Sequence, residues 1–362
     1  MRILFIARNT IFSVSGGDTV QVLETAAHLR KLGVEVDVLT TGEVTHYANY
    51  DLLHFFNIIR PADILPHVQK SKLPYVVSTI FVDYSEYEKK YRHGLGGFLF
   101  KLLHADTVEY LKNIIRSIVR RQEHIPFQYL FYGHSKSIAL VSAKANWLLP
   151  NSENEYNRLQ KKYGVTTRYS VIPNGVNLDL FKSSEVDIEK DDHLIVCAGR
   201  VEGRKNQLNL IEAVNNTKYK LLIIGDPAPN HTFYYKLCRK RAASNIEFIH
   251  KVPQHQLVSY YKKAKVHVLP SWFETTGLSS LEAGLMGCAI VVAERGDVRD
   301  YFGSLAFYCD PSLPASIFKS IEMAASAKTD DNLKRVIENN YTWNMAAAKT
   351  LEVYKQILSG TK

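Results

Sequence analysis

Short apolar, β-branched runs alternate along this chain with longer stretches in which apolar residues return every three or four positions. That alternation is the signature of βαβ units and of parallel sheets flanked by helices. In the first half the runs fall at residues 2–7, 34–40, 52–56, 75–80 and 147–149. Between the first two, Val20, Leu23, Ala27 and Leu32 mark a helical stripe over residues 19–32, which Gly33 closes. A second series begins after Pro173-Asn174-Gly175, with runs at 194–198, 220–224, 246–249, 266–269, 289–292 and 305–308. The pattern predicts an α/β protein of two successive doubly wound domains, residues 1–172 and 173–342, with a final helix over 343–358 packing back across the junction. The Asn-Gly turn and the polar stretch 182–192 mark the boundary.

One segment breaks the rhythm. Residues 83–136 are aromatic and basic, carry no strand signal, and predict two or three helices. Within them Phe98, Leu99, Phe100, Leu102 and Leu103 sit beside Lys101, while Arg116, Arg120 and Arg121 line a helical interval. Two readings fit: apolar positions in a core with a solvated arginine face, or a face that lies on a membrane surface.

At 362 residues the chain exceeds what one hydrophobic core usually supports, which agrees with two domains. Nowhere do 18 apolar residues run uninterrupted, so no membrane-spanning helix is expected. The run Ile3–Ala7 is cut off by Arg8, too short for a secretory leader, and reads as a first strand. Cys197, Cys238, Cys288 and Cys309 are far apart and form no C-x-x-C, so they read as small buried hydrophobes in a reducing, cytoplasmic setting. A formal charge of +9 suggests an anionic partner: nucleotide phosphate, the anionic inner face of a membrane, or nucleic acid. Nucleic acid is disfavoured, because there is no RNP pattern, zinc-finger spacing or arginine-rich tail. Nor do His and carboxylates occur at metal-ligand spacing, so no metal is expected.

The most informative stretch is Pro270-Ser271-Trp272-Phe273-Glu274-Thr275-Thr276-Gly277-Leu278-Ser279-Ser280-Leu281-Glu282-Ala283-Gly284. It leaves an apolar strand and turns through small and hydroxyl residues into a helix starting near Gly277. Unpaired N–H groups at such a start face the carboxyl edge of the sheet, where doubly wound folds bind ligands, and phosphate fits there. Glu274 before the helix and Glu282 within it reach opposite ends of one extended ligand. Each carboxylate accepts hydrogen bonds from two neighbouring hydroxyls, as on a hexose or a ribose, and neither needs to carry a proton. The cluster Gly199-Arg200-Val201-Glu202-Gly203-Arg204-Lys205-Asn206 stands at another strand-to-helix turn, where fixed cations would neutralise phosphate charge.

In this context E-x7-E resembles the signature of the family-4 retaining glycosyltransferases. The resemblance implies a GT-B fold, two Rossmann-like domains facing a central cleft, and a UDP- or GDP-sugar donor. By position it implies that Glu274 holds sugar hydroxyls, Glu282 holds the ribose, and the amides of Thr276, Gly277 and Leu278 face the diphosphate with Arg200 and Lys205. Ile172-Pro173-Asn174-Gly175-Val176 resembles the family's linker turn, and Phe248-Ile249-His250-Lys251-Val252 the loop whose backbone, from Ile249 to Val252, meets the base. Gly16-Gly17 resembles the glycine-rich loop near donor phosphate and acceptor, and Asp51-Leu52-Leu53-His54 the D-x-x-H strand. One departure matters: the family's His-Asp pair after the fourth strand would put His at Ile80 or Phe81, and it is missing, leaving Asp83 as a neighbouring substitute.

What the resemblance implies for chemistry is a front-face transfer of a hexose with retention and without a metal. The acceptor would be a glycan or a lipid-linked saccharide in cell-envelope or capsular assembly, with residues 89–136 touching anionic membrane. An epimerase or phosphorylase on the same architecture lacks its acid/base residues or cofactor lysine. The alternative from another class is a catalytically silent nucleotide-sugar-binding partner of an active transferase, for which the missing His speaks.

Overall fold

Two parallel sheets organise the chain, each in its own compact unit: Met1–Asn174 with Trp343–Lys362, and Gly175–Thr342. The computed structural model describes residues 1–44, 46–90, 105–120, 125–182, 188–328 and 331–360.

In the first unit β1 (Arg2–Ala7), β2 (Glu35–Thr40), β3 (Leu52–Phe56), β4 (Tyr75–Ser78) and β5 (Trp147–Leu149) lie in the order β2-β1-β3-β4-β5, all parallel. The helices are α1 (Gly17–Lys31), α2 (Pro61–Ser71), α3 (Ser85–Lys90), α4 (Ala105–Arg120), α5 (Phe127–Lys144) and α6 (Glu153–Tyr163), with a C-terminal helix Trp343–Ser359. Alternate strand residues Leu4, Ile6, Leu53, Phe55, Val77 and Leu148 make one core with Ile138 and Val141 of α5. A sheet covered on both faces needs continuous apolar strands, which is why these runs were visible.

Two expectations are corrected here. The buried face of α1 is Thr19, Gln21, Val22, Thr25, Ala26, His28 and Leu29, while Leu23 and Leu32 are exposed. The stripe is rotated because polar side chains occupy it. Gln21 and Asn151 exchange side-chain hydrogen bonds at 3.0 and 3.3 Å, and His28 Nδ1 is hydrogen bonded to the Glu24 carbonyl. Strand β4 stops at Ser78 rather than at residue 80, and Ile80 takes a φ of 44°. A β-branched residue in that region costs about 1–3 kcal/mol and persists only where its surroundings impose it. Here they do: the fully buried carboxylate of Glu155 accepts from the Thr79 hydroxyl and, at 2.7 Å, from the Phe81 amide. Its other oxygen accepts from the Asn151 amide at 2.9 Å.

Of the aromatic, basic segment, Phe98, Leu99, Phe100, Lys101, Leu102, Leu103 and Arg121 lie outside the described residues, as do the side chains of Arg116 and Arg120. Helix α5 is kinked at Gly133, which takes a φ of 72°. The turns before the kink carry Phe127, Leu130, Phe131 and Tyr132 into solvent, with Phe127 at 80% and Phe131 at 75% exposure. Among the described residues no helix is long and apolar enough to cross a membrane.

The second unit orders β6 (Asp191–Ala198), β7 (Lys220–Ile224), β8 (Ile246–Ile249), β9 (Ala264–Leu269), β10 (Ala289–Ala293) and β11 (Phe307–Cys309) as β11-β10-β9-β6-β7-β8. Its helices are α7 (Leu178–Lys182), α8 (Gln207–Val214), α9 (Thr232–Arg241), α10 (Gln254–Lys263), α11 (Leu278–Leu285), α12 (Val298–Phe302), α13 (Pro314–Ser326) and α14 (Asn332–Asn340). Alternation divides its strands between two cores, Val196, Leu222, Leu269 and Val292 on one face and Ile195, Leu221, Val268 and Val291 on the other. All four cysteines are buried free thiols. Strand β6 begins three residues before its apolar run, inside the polar stretch. The reason is Lys190, whose ammonium donates among the carbonyls of Ala264 (2.9 Å), Lys262 and Met286 (3.1 Å each), with the Tyr261 carbonyl also in range at 3.3 Å.

His54, His67 and His267 are buried without charge. His54 on β3 is hydrogen bonded through Nδ1 to the Tyr354 hydroxyl at 2.6 Å and through Nε2 to Ser78 Oγ at 2.8 Å, which ties the C-terminal helix to the sheet. Burial lowers His54 and His267 to about 3, and His67 to about 4, from 6.5. The unfolded chain therefore takes up protons below pH 6.5 that the folded chain refuses until about pH 3–4. Stability is full above that upper value and is lost as the pH falls, by about 2 kcal/mol per histidine at about pH 5. Urea midpoints should accordingly drop between about pH 7.5 and about pH 5; an unchanged midpoint would show that these imidazoles protonate in place.

Candidate functional site

The site is built at the carboxyl ends of β6, β9 and β10. After β9 the chain turns at Pro270, whose carbonyl accepts from Asn206 Nδ2 at 3.1 Å, and the Trp272 amide donates to the Arg204 carbonyl at 2.9 Å. Asn206 adopts a left-handed φ of 62°, a conformation asparagine tolerates better than most residues, and it also donates to the Pro311 carbonyl at 2.7 Å. The Gly203–Lys205 turn is thereby strapped to the segment that carries Glu274.

Glu274 is held by its backbone. It forms a β-bridge with Gly296, and its carbonyl accepts from the Asp297 amide at 2.8 Å. Gly296 has a φ of 81°, and a Cβ there would lie 2.1 Å from the Glu274 carbonyl oxygen, so only glycine permits the approach. Into this frame Lys205 Nζ donates to Glu274 Oε1 at 2.5 Å, with 22% and 13% of the two side chains exposed. Arg200 is not part of that pair. Its guanidinium lies 3.4 Å from Glu202 Oε1 and 42% of the side chain is exposed.

Helix α11 starts from Gly277 with φ 73° and no side-chain cap. Its first amides, from Leu278 onward, thus carry the positive end of the helix without a competing carboxylate or hydroxyl cap. Thr276 is buried and its hydroxyl donates to the Tyr301 hydroxyl at 3.1 Å, so its side chain faces the protein and its backbone is what it offers. One turn into α11, Glu282 is 9% exposed. Gln254 Nε2 donates to its Oε1 at 2.5 Å, and the Tyr261 hydroxyl lies 3.4 Å from its Oε2.

At the neighbouring strand end, Ile249 closes β8 and its carbonyl accepts from the Gly225 amide at 2.9 Å, so that acceptor is already engaged. A Cβ on Gly225 would stand 2.1 Å from the Gly199 carbonyl oxygen, which fixes how closely the ends of β6 and β7 approach. His250 Nδ1 and Asp226 Oδ1 are 2.8 Å apart on the surface, and this hydrogen bond holds the Asp226 carboxyl below the usual range. Val252 packs partly buried against the core.

In the first unit, Gly16 is extended and Gly17 opens α1. The loop before them is fastened by Arg8, which donates to Asp18 Oδ2 at 2.6 Å and to Thr10 Oγ1 and the Val14 carbonyl at 2.7 Å each. Asp83 Oδ1 accepts from the Ser85 amide at 2.9 Å, at the start of α3. Sequence reasoning missed Gln254, Tyr261, Gly296, Arg8 and Glu155. Gln254 and Tyr261 carried a usable signal, since they stand seven residues apart on one helix and so share a face.

The family model described as glycosyl transferases group 1 matches residues 180–343, and that of glycosyltransferase family 4 matches residues 15–180. D-inositol 3-phosphate glycosyltransferase 2 of Catenulispora acidiphila is 22% identical, over 94% of this chain and 90% of its own length. D-inositol 3-phosphate glycosyltransferase of Corynebacterium diphtheriae is 25% identical over the same shares, 94% and 90%. Among solved structures, sucrose-phosphate synthase from Thermosynechococcus elongatus superposes with a TM-score of 0.76 at 15% identity, covering 99% of this chain and 100% of that one. HepE of Anabaena, in complex with UDP, superposes with a TM-score of 0.72 at 16% identity, covering 98% and 100%. With two adjoining family models running from residue 15 to residue 343 over a pair of parallel-sheet units, the chain belongs to the GT-B glycosyltransferases of the family-4 type.

Proposed function

We propose that this glycosyltransferase moves a hexose-type sugar from a nucleotide-sugar donor to a glycan or lipid-linked saccharide, with retention of anomeric configuration and without a metal. A UDP-sugar is the first expectation and a GDP-sugar the next; HepE, similar in fold, was solved with UDP and with UDP-glucose. The observation that carries the reading is the Lys205–Glu274 pair beside the uncapped start of α11.

An arriving diphosphate competes for the ammonium of Lys205, because phosphate offers it a second anionic partner next to the amides of Thr276, Gly277 and Leu278. As Lys205 turns to phosphate, the Glu274 carboxylate is released to accept from sugar hydroxyls. The exposed guanidinium of Arg200 swings from Glu202 to the same anion. Glu282 takes the ribose, and the backbone of residues 249–252, whose Ile249 carbonyl is already bound, meets the base mainly through its later peptides. The sugar–phosphate bond then loosens, the acceptor oxygen bonds to the anomeric carbon on the same face, and the acceptor proton passes to the leaving phosphate. The chain's own groups act by placement and electrostatics, which in comparable sites contribute about 10²–10³ in rate per removed contact.

The first unit takes the acceptor, with Gly16 and Gly17 as its glycine-rich loop and with Ile80 or Phe81 where the family's His would stand. Cell-envelope or capsular glycan assembly suits a chain whose exposed Phe127 and Phe131 lie within a basic segment, residues 89–136, able to rest on anionic lipid at the inner membrane face. The absence of that His at Ile80 or Phe81 also favours a second reading, a silent partner that binds a nucleotide-sugar without turning it over.

Three outcomes are expected. Slow release of nucleoside diphosphate from the donor falls at least about a hundredfold in Lys205→Ala; tight binding without turnover, whatever acceptor is offered, supports the silent partner instead. In a thermal-shift screen UDP-sugars raise the melting temperature most, GDP-sugars next and ADP-sugars least, since a ligand held by the native state alone stabilises it; preference for adenine nucleotides overturns the donor assignment. In vesicle flotation the chain travels with phosphatidylglycerol-rich membranes, and the Phe127→Ser/Phe131→Ser double variant stays behind; equal recovery of the two proteins removes the membrane contact.

A further inference from the structure

We propose that Lys190 is the built-in cation of a carbonyl cage at the amino edge of the second sheet, a positioning residue that fixes β6, α10 and α11 against one another and so sets where the start of α11 meets the donor diphosphate. The inference rests on the reading that the diphosphate binds at that helix start beside Lys205.

The last carbonyls of a helix have no partner within it and need a donor or a cation. Around the Lys190 ammonium four such oxygens converge: Ala264 at 2.9 Å, Lys262 and Met286 at 3.1 Å, and Tyr261 at 3.3 Å. Tyr261 and Lys262 lie in the last turn of α10, Ala264 follows as the first residue of β9, and Met286 is the C-cap of α11. An ammonium carries three hydrogens, so four oxygens exceed what directed hydrogen bonds can use. Oxygens gathered in excess around one charge are what a spherical cation takes, as backbone carbonyls replace the hydration shell of potassium. The Cys288 thiol stands against two of the same oxygens, 3.0 Å from that of Tyr261 and 3.4 Å from that of Ala264, and walls one side. The lysine stem enters past Gly287, where a Cβ would lie 3.4 Å from Lys190 Cε.

A lysine near a single helix end commonly serves as a solvated cap. Lys190 instead stands one residue before β6 and holds two helix ends at once. The opposite ends of these three elements carry the candidate site: β6 runs out toward Arg200 and Lys205, α10 begins at Gln254, and α11 begins after Gly277. With only eight residues, α11 is a stiff rod of about 12 Å, so a shift at its C-terminal carbonyls reappears at its first amides.

Calorimetric titration of the full chain with UDP, and with GDP alongside, is compared in potassium chloride and in tetramethylammonium chloride of equal ionic strength. Wild type should bind alike in both salts, its cage being filled. Lys190→Ala should bind about tenfold more weakly in tetramethylammonium and recover to within about threefold of wild type in potassium, the span that residues remote from a ligand command. Its unliganded melting temperature should rise with potassium as well. Lys190→Met, whose side chain fills the space and admits no ion, should respond to potassium in neither measurement. Unchanged affinity of Lys190→Ala in both salts, or recovery of its melting temperature alone, overturns the positioning role. A melting temperature and an affinity both indifferent to potassium overturn the cage, as does a Lys190→Ala chain that folds in neither salt while Lys190→Met folds. If neither nucleotide binds wild type, or if Lys205→Ala binds as wild type does, the diphosphate reading fails and the positioning role with it, while the potassium-dependent melting temperature still reports the cage.

Discussion

A mostly buried ammonium and a mostly buried carboxylate are each costly alone, by several kcal/mol, and are kept only as a pair or with a substitute partner. Lys205 and Glu274 are such a pair, and much of the second unit serves to hold them in register. The left-handed Asn206, its bonds to Pro270 and Pro311, the Trp272–Arg204 contact and the close approach of Gly296 all act on backbone, not on the two charges. The side chains are therefore free to exchange partners while the frame stays fixed. That is the condition for electrostatic catalysis: groups placed in advance, with little reorganisation when the charge develops.

The first unit solves a different problem with similar means. Its polar network is fully interior: Glu155 binds Thr79, Phe81 and Asn151, and Asn151 binds Gln21 of α1. One carboxylate thus joins the ends of β4 and β5 to α6, and the Asn151–Gln21 pair extends the link to α1. The strain at Ile80 is stored in that network, and it places an apolar side chain at the turn where the family's imidazole would be expected.

These arrangements explain which features could be seen in the amino-acid order. Strands β1, β5 and β7 are, after a leading Arg2 or Lys220, uninterrupted apolar runs because both faces of their sheets are covered, and their limits are plain. The two glutamates of E-x7-E were equally plain, since one turn and the start of one helix contain both. Helix α1 was misjudged in its facing because Gln21, Thr25 and His28 are polar yet buried, with the partners of Gln21 and Asn151 far apart in the chain. Strand β4 ends earlier than its apolar run because Ile80, with every propensity of a strand residue, is bent by the distant carboxylate of Glu155. Gly296, Gln254 and Lys190 act through contacts that topology creates, and no local pattern announces them. Arg200 stood beside Lys205 in a single motif, but their side chains take separate partners, Glu202 and Glu274.

The path of the chain has a consequence for its birth. The second unit opens and closes on itself, with the Val176 amide bonded to the Tyr341 carbonyl at 2.9 Å and Val176 bridged to Thr342. The first unit, by contrast, leaves His54 without its Tyr354 partner until the helix Trp343–Ser359 has been made. During synthesis the half that begins first is thus the half completed last, waiting with an open flank while the later-made half can already close. A chain cut short before Trp343 would carry its damage in the first sheet, at His54 of β3.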